Sequence, residues 1–225
     1  MSDKAKQAAA ALAASWIEGG MIVGLGSGST AYCFIQSLIE RCRKGLLIEA
    51  VASSQASFDL AQKGGLDLID FNAAPRVDIT VDGADEIDEK KRMIKGGGGA
   101  HVREKILASS SKEMVVIVDS TKVVSKLGKR KLPVEILYYG SFATRAKIEN
   151  LGLQGSWRMS GDTFYISENG NLIFDITFPS LPSQMEELHE QICQIPGVID
   201  TGFFSNLAGR VIVGYPDGTT KIWKE

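Results

Sequence analysis

Between residues 20 and 120, short apolar runs alternate with longer stretches in which apolar residues return every three or four positions, with glycine, serine or acids at the joints. That rhythm predicts strands alternating with helices. Residues 1–20, MSDKAKQAAAALAASWIEGG, pattern as an amphipathic helix. Met21–Gly24 is expected as a short buried strand, followed by a Gly/Ser turn and a helix in which Tyr32, Ile35, Leu38 and Ile39 recur at helical spacing. LLIEAVASS and LDLIDF read as strands flanking a helix over SSQASFDLAQKGG, and RVDITVDGAD as a strand ending in acids. A helix should begin near Ala100, and EMVVIVDSTK is apolar enough to be a strand buried on both faces. Such βαβ units imply a mostly parallel sheet.

After LPVEI, residues 132–136, the pattern changes. SFATRAKIENLG reads as a helix, TFYISENGNLIFDITF as a hairpin around Glu168–Asn171, and SQMEELHEQICQIPG as a helix closed by Pro196 and Gly197. The tail GRVIVGYPDGTTKIWK supplies two strands about a Pro-Asp-Gly turn that can return to the first sheet. The expected fold class is therefore α/β: a Rossmann-like, mostly parallel sheet domain over 1–130 plus 203–225, with a smaller α+β, ferredoxin-like domain over 131–202.

Composition narrows the function. A chain of 225 residues with net charge −2 has no generally basic surface, so nucleic acid is not an expected partner and any bound anion must be held by local design. Cys33, Cys42 and Cys193 are odd in number and widely spaced, which fits neither a disulfide framework nor a zinc knuckle. No apolar run is long enough for a signal peptide or a span, so a cytoplasmic protein without a membrane partner is expected. His101 and His189 lack partners at ligand spacing and read as structural, and no metal is expected.

Four stretches fall where an open parallel sheet places its ligands, beyond the carboxyl ends of strands. In GLGSGST, residues 24–30, Ser27, Gly28, Ser29 and Thr30 offer hydroxyls and helix-start amides to a phosphate. A dinucleotide fingerprint would need glycine at 29, and a Walker loop would need a following Gly-Lys; the plainer alternative is a glycine-rich helix cap. In DGADE, Asp82 and Asp85 bracket Gly83 and Ala84 and suit a polyhydroxylated ligand better than a metal, given nearby Lys95; otherwise they are solvated turn charges. KGGGGA sets Lys95 before Gly96, Gly97, Gly98 and Gly99, a cation beside bare amides that can stabilise an oxyanion, unless the run is only a linker. Glu104, on the next helix, is either a surface glutamate in a favourable first turn or a general base turned toward that loop. DSTK, with Lys122, is the fourth stretch.

In this order and spacing, IVGLGSGST, VDGADEID, MIKGGGGAHVREKI, LGKRKLPVEI, IPGVIDTGFF and YPDGTTKI closely resemble the ribose-5-phosphate isomerase A family over nearly the whole chain. The resemblance implies interconversion of D-ribose 5-phosphate and D-ribulose 5-phosphate, in the non-oxidative branch of the pentose phosphate pathway, with no metal or organic cofactor. It implies a homodimer or homotetramer assembled through the smaller domain. Position by position, it puts the base on Glu104, further catalytic groups on Lys95, Asp82 and Asp85, and substrate contacts on Ser27 to Thr30, Asp82 to Asp85, Lys95 to Gly98 and Lys122, with Lys6 as a looser match. Ser27 stands where threonine is frequent, and Gly99 where alanine is common. A sugar-phosphate sensor without chemistry and a nicotinamide-dependent dehydrogenase are the rival readings.

Overall fold

The computed structural model describes residues 2–73 and 76–223; Met1 and Lys224, at the ends of the first and last expected elements, lie outside them. The chain divides into two compact units, one of Met1–Ala84, Arg103–Val123 and Asn206–Glu225, the other of Asp85–Val102 and Val124–Ser205.

The first unit is built on a seven-stranded sheet in the order Thr220–Trp223, Ala208–Gly214, Ser111–Asp119, Val77–Asp82, Ile22–Leu25, Glu49–Ala52, Asp67–Leu68. Every neighbouring pair is parallel except the tail hairpin. Met114–Val118 is buried throughout, as an apolar central strand covered on both faces must be. The first helix, Ser2–Ser15, stops short of the expected Gly20. Its end is fixed by Arg41, whose guanidinium binds the carbonyls of Ala14 and Ile17. Buried Ala5, Ala9 and Ala13 let this helix lie close on the Ser111–Asp119 and Ala208–Gly214 strands.

Two expectations for this unit are corrected. In the Ser29–Arg43 helix the buried stripe runs through Ala31, Phe34, Ile35, Leu38 and Ile39, while Tyr32 is 53% exposed. One step off the stripe turns a side chain by about 100°, enough to carry Tyr32 off the core. LDLIDF keeps only Asp67–Leu68 as an edge strand and then coils into a 3-10 turn at Phe71–Ala73.

The second unit runs strand Leu132–Ile136, helix Ser141–Glu149, strands Gln154–Trp157 and Leu172–Thr177, helix Met185–Cys193, strand Val198–Thr201. Its antiparallel sheet has the order Val198–Thr201, Leu132–Ile136, Leu172–Thr177, Gln154–Trp157, the ferredoxin-like arrangement. Val134, Ile136, Ile148, Phe174, Ile192 and Phe203 form its core. Residues 85–102 group with this unit because Met93–Ile94 pairs with Glu86–Ile87 on one side and with Phe203–Phe204 on the other.

The expected hairpin across Glu168–Asn171 is reduced to a turn and one isolated bridge, Ile166 to Leu172. Thr163–Phe164 pairs instead with Met159–Ser160. Buried Glu135 explains the turn, because its Oε1 accepts hydrogen bonds from Ser167 at 3.0 Å, Asn169 at 3.0 Å and Asn171 at 2.8 Å.

Candidate active site

In the first unit the Ile22–Leu25 strand lies between Glu49–Ala52 and Val77–Asp82; from Ile22–Leu25 the sheet is extended one way, to Glu49–Ala52, and from Val77–Asp82 the other way, to Ser111–Asp119. Ligands of open α/β sheets bind beyond the carboxyl ends at such a reversal. Gly26 leaves that end and passes so close to Asp82 that a Cβ would overlap the carboxylate. Gly28 then turns the chain into the Ser29–Arg43 helix at φ 90°, a conformation glycine tolerates, and without a side-chain cap. The helix start is thereby left to an anion.

The loop's polar groups divide in function. Ser27 donates its amide to Asp82 Oδ1 at 3.0 Å, and its hydroxyl lies 2.9 Å from Ser53 Oγ and 2.8 Å from Ser54 Oγ. Ser27 therefore anchors the loop. Ser29 Oγ accepts from Lys6 Nζ at 3.0 Å, which sets a lysine of the first helix beside the helix start. A cavity of about 530 Å³ opens there, with Lys6, Ser29 and Cys33 on its wall. Burial pushes the Cys33 thiol above its ordinary pKa, so it is no activated nucleophile.

Asp82 ends its strand only 1% exposed and also accepts the Gly83 amide at 2.7 Å. Glu104 sits in the first turn of the His101–Ser109 helix and is 5% exposed, which removes the surface-glutamate reading. Lys122 closes the short 3-10 turn that follows the Ser111–Asp119 strand, where Asp119 Oδ1 accepts the Thr121 amide at 3.0 Å.

The second unit carries Asp85, Lys95 and the glycine run. Lys95 is 3% exposed; its amide donates to Gly202 O at 2.8 Å, and its Nζ lies 5.5 Å from the Phe204 ring centroid. Asp85 Oδ2 accepts the Gly97 amide at 2.8 Å, and the Gly99 amide donates to Gly96 O at 2.9 Å. Two amides of the run, those of Gly97 and Gly99, are therefore engaged inside the loop. Glu86 and Asp88, in the same acidic stretch, are structural. Glu86 accepts the amides of Gly128 at 2.7 Å and Arg130 at 2.6 Å, while Asp88 pairs with Arg92 at 2.6 Å.

Residues far along the chain hold the glycine loop. Arg158 Nη1 donates to Gly96 O at 2.8 Å and Gly97 O at 3.2 Å, while its Nε and Nη2 bind Asp175 at 3.0 and 2.6 Å. Tyr165 donates to Gly98 O at 3.2 Å and lies face-on to Arg158, 5.8 Å from guanidinium carbon to ring centroid. A methyl at position 99, where φ is +85°, would collide with the Tyr165 ring, so glycine is the residue that fits this neighbour. The sequence reading missed Arg158, Tyr165 and Asp175. Their one signal was Asp175 itself, an acid inside the apolar strand LIFDITF.

Among the described residues no helix is long and apolar enough to cross a membrane. The model of the family Ribose 5-phosphate isomerase A (phosphoriboisomerase A) matches residues 49–218. Ribose-5-phosphate isomerase A of Protochlamydia amoebophila (strain UWE25) is 47% identical over 98% of this chain and 96% of its own. Ribose 5-phosphate isomerase from Plasmodium falciparum superimposes with a TM-score of 0.95 at 30% identity, covering 99% of both chains. A D-ribose-5-phosphate isomerase in complex with phospho-erythronic acid superimposes with a TM-score of 0.93 at 32% identity, covering 100% of both. On the motifs, the fold and these likenesses together, the chain belongs to the ribose 5-phosphate isomerase A family.

Proposed function

We propose that this chain interconverts D-ribose 5-phosphate and D-ribulose 5-phosphate through an enediolate, with Glu104 as the base. The observation that carries the reading is the burial of Glu104 and Lys95, a carboxylate and an ammonium only 5% and 3% exposed. Withdrawing such groups from water is costly, and a fold does it either in structural networks, as with Glu86 and Glu135 here, or where the chemistry is used; the family motif that carries Glu104 and Lys95 favours the second.

The carboxylate of Glu104 takes the proton from C2 of the open-chain aldose. The electron pair left behind forms the C1–C2 double bond, and the carbonyl electrons move onto O1. Lys95 stabilises that oxyanion as its charge develops. Glu104 then returns its proton to C1 while the O2 proton passes to O1, which leaves the ketone at C2. Asp82 and Asp85 bind hydroxyls and assist ring opening. Gly28, Ser29, Thr30 and Lys6 hold the phosphate, and Lys122 contributes a further cation. Anchoring that remote group orients the carbons that react.

The test uses EDTA-treated protein incubated with ribose 5-phosphate while ketose formation is followed. Rapid conversion is expected, because no step needs a metal. Binding of the sugar phosphate without conversion would leave the sensor reading in its place.

The second unit serves assembly in this proposal, as a homodimer or a homotetramer, and the enzyme works in the cytoplasm. The support is apolar exposure on that unit: Tyr138 62%, Tyr139 87%, Phe142 60% and Phe164 38%. Phe142 and Phe164 meet edge to face at 6.1 Å. Patches of this kind mark interfaces. Phe142→Asp should shift the protein toward monomer in sedimentation velocity, and an unchanged profile would move the interface elsewhere.

A further inference from the structure

Helix Met185–Cys193 presents His189 and Cys193 four residues apart, hence on one face, and the Val198–Thr201 strand brings Asp200 beside them. One donor atom from each residue lies within 4.8 Å of the other two. Cys193 Sγ is 3.8 Å from Asp200 Oδ1, 3.4 Å from His189 Nδ1 and 3.9 Å from its Nε2. Here the expectation that His189 has no partners of ligand type is corrected.

The imidazole is held from behind. Thr201, fully buried, accepts the Phe203 amide on its hydroxyl at 3.1 Å, and the same oxygen lies 2.8 Å from His189 Nδ1. That oxygen accepts from Nδ1 in one tautomer of the ring and donates to it in the other. A hydrogen bond to a ring nitrogen holds the orientation of metal-binding histidines.

A nucleophilic triad would set the carboxylate behind the imidazole. Here a hydroxyl occupies that place, and the carboxylate lies against the sulfur, where it opposes thiolate formation. A cation reverses that logic, since it draws the three donors together and favours the thiolate.

We propose that a ring nitrogen of His189, Cys193 Sγ and Asp200 Oδ1 form a Zn2+ site, with water in the fourth position. Zinc binds sulfur at about 2.3 Å and nitrogen or oxygen at about 2.0–2.2 Å, so tetrahedral donors stand about 3.5 Å apart. The observed separations, 3.4 Å from Sγ to Nδ1, 3.8 Å from Sγ to Oδ1 and none of the set above 4.8 Å, contract to that spacing by side-chain rotation. The mixed imidazole, thiolate and carboxylate set suits Zn2+ rather than Mg2+ or Ca2+.

The test titrates the EDTA-stripped full chain with Co2+ as an optical stand-in. One equivalent should produce a thiolate-to-cobalt charge-transfer band in the near ultraviolet that Zn2+ abolishes. Cys193→Ser should lose the band, and Asp200→Asn should weaken Co2+ binding at least tenfold. Cys193 is exposed, so its variant should fold; Zn2+ should raise the melting midpoint of the wild type and leave that of Cys193→Ser unmoved. Absence of the band, or a band that survives Cys193→Ser and so reports Cys33 or Cys42, overturns the proposal.

Discussion

Glu104→Gln is expected to lower kcat for ribose 5-phosphate by about 10²–10⁴-fold and to leave KM nearly unchanged. The amide matches the carboxylate in shape and keeps its hydrogen-bonding reach, so sugar-phosphate binding should survive. What it loses is the capacity to accept and return a proton, and general base catalysis is worth about that factor. Because Glu104 is 5% exposed, bulk water is a poor substitute. Two measurements separate chemistry from folding. Exchange of the C2 hydrogen with solvent deuterium should fall along with turnover, whereas the melting midpoint should stay close to that of the wild type. A folded Glu104→Gln enzyme with undiminished turnover would remove Glu104 from the mechanism.

What was legible in the sequence follows from the range of the interactions involved. The parallel sheet could be read because its strands are continuous apolar runs, and Met114–Val118 is buried as such a run must be. The glycine turn into the helix could be read because Gly28 and the helix start are neighbours in the chain. The hairpin failed for the converse reason. Local turn residues were present, but Leu172–Thr177 finds its ladder partners in Leu132–Ile136 and Gln154–Trp157, and long-range pairing outweighed the local signal.

The site divides along the same line. Glu104 stood out in its motif, yet its burial depends on which helix face meets the fold, and one turn of sequence does not state that. Asp85 lies 12 positions before the Gly97 amide it accepts, and Arg158 lies 62 positions beyond the Gly96 carbonyl it binds. His189 and Cys193 sat at helical spacing all along, but Asp200 joins them only after the chain reverses at Pro196-Gly197.

Lys95→Met and Arg158→Met are expected to damage turnover by different routes. Methionine keeps the apolar stem of Lys95 against Phe204 and removes only the charge, so kcat and kcat/KM should fall together by about 10²–10³-fold, the usual loss of one oxyanion-stabilising group. Arg158 acts through the glycine loop. Its loss frees the carbonyls of Gly96 and Gly97 and strands Asp175, whose side chain is 9% exposed, without its bidentate partner. Breaking a buried pair costs about 3–5 kcal/mol of stability, so a low kcat in Arg158→Met alone could be read as unfolding. The double variant Arg158→Met/Asp175→Asn resolves this, since it removes the stranded charge as well. Its melting midpoint should recover while kcat stays depressed, because the loop carbonyls still lack their donor. Recovery of both would confine Arg158 to folding. Recovery of the midpoint alone would make it a positioning residue for the loop that carries Lys95, and would explain why a run of glycines this costly to order sits beside an arginine so far along the chain.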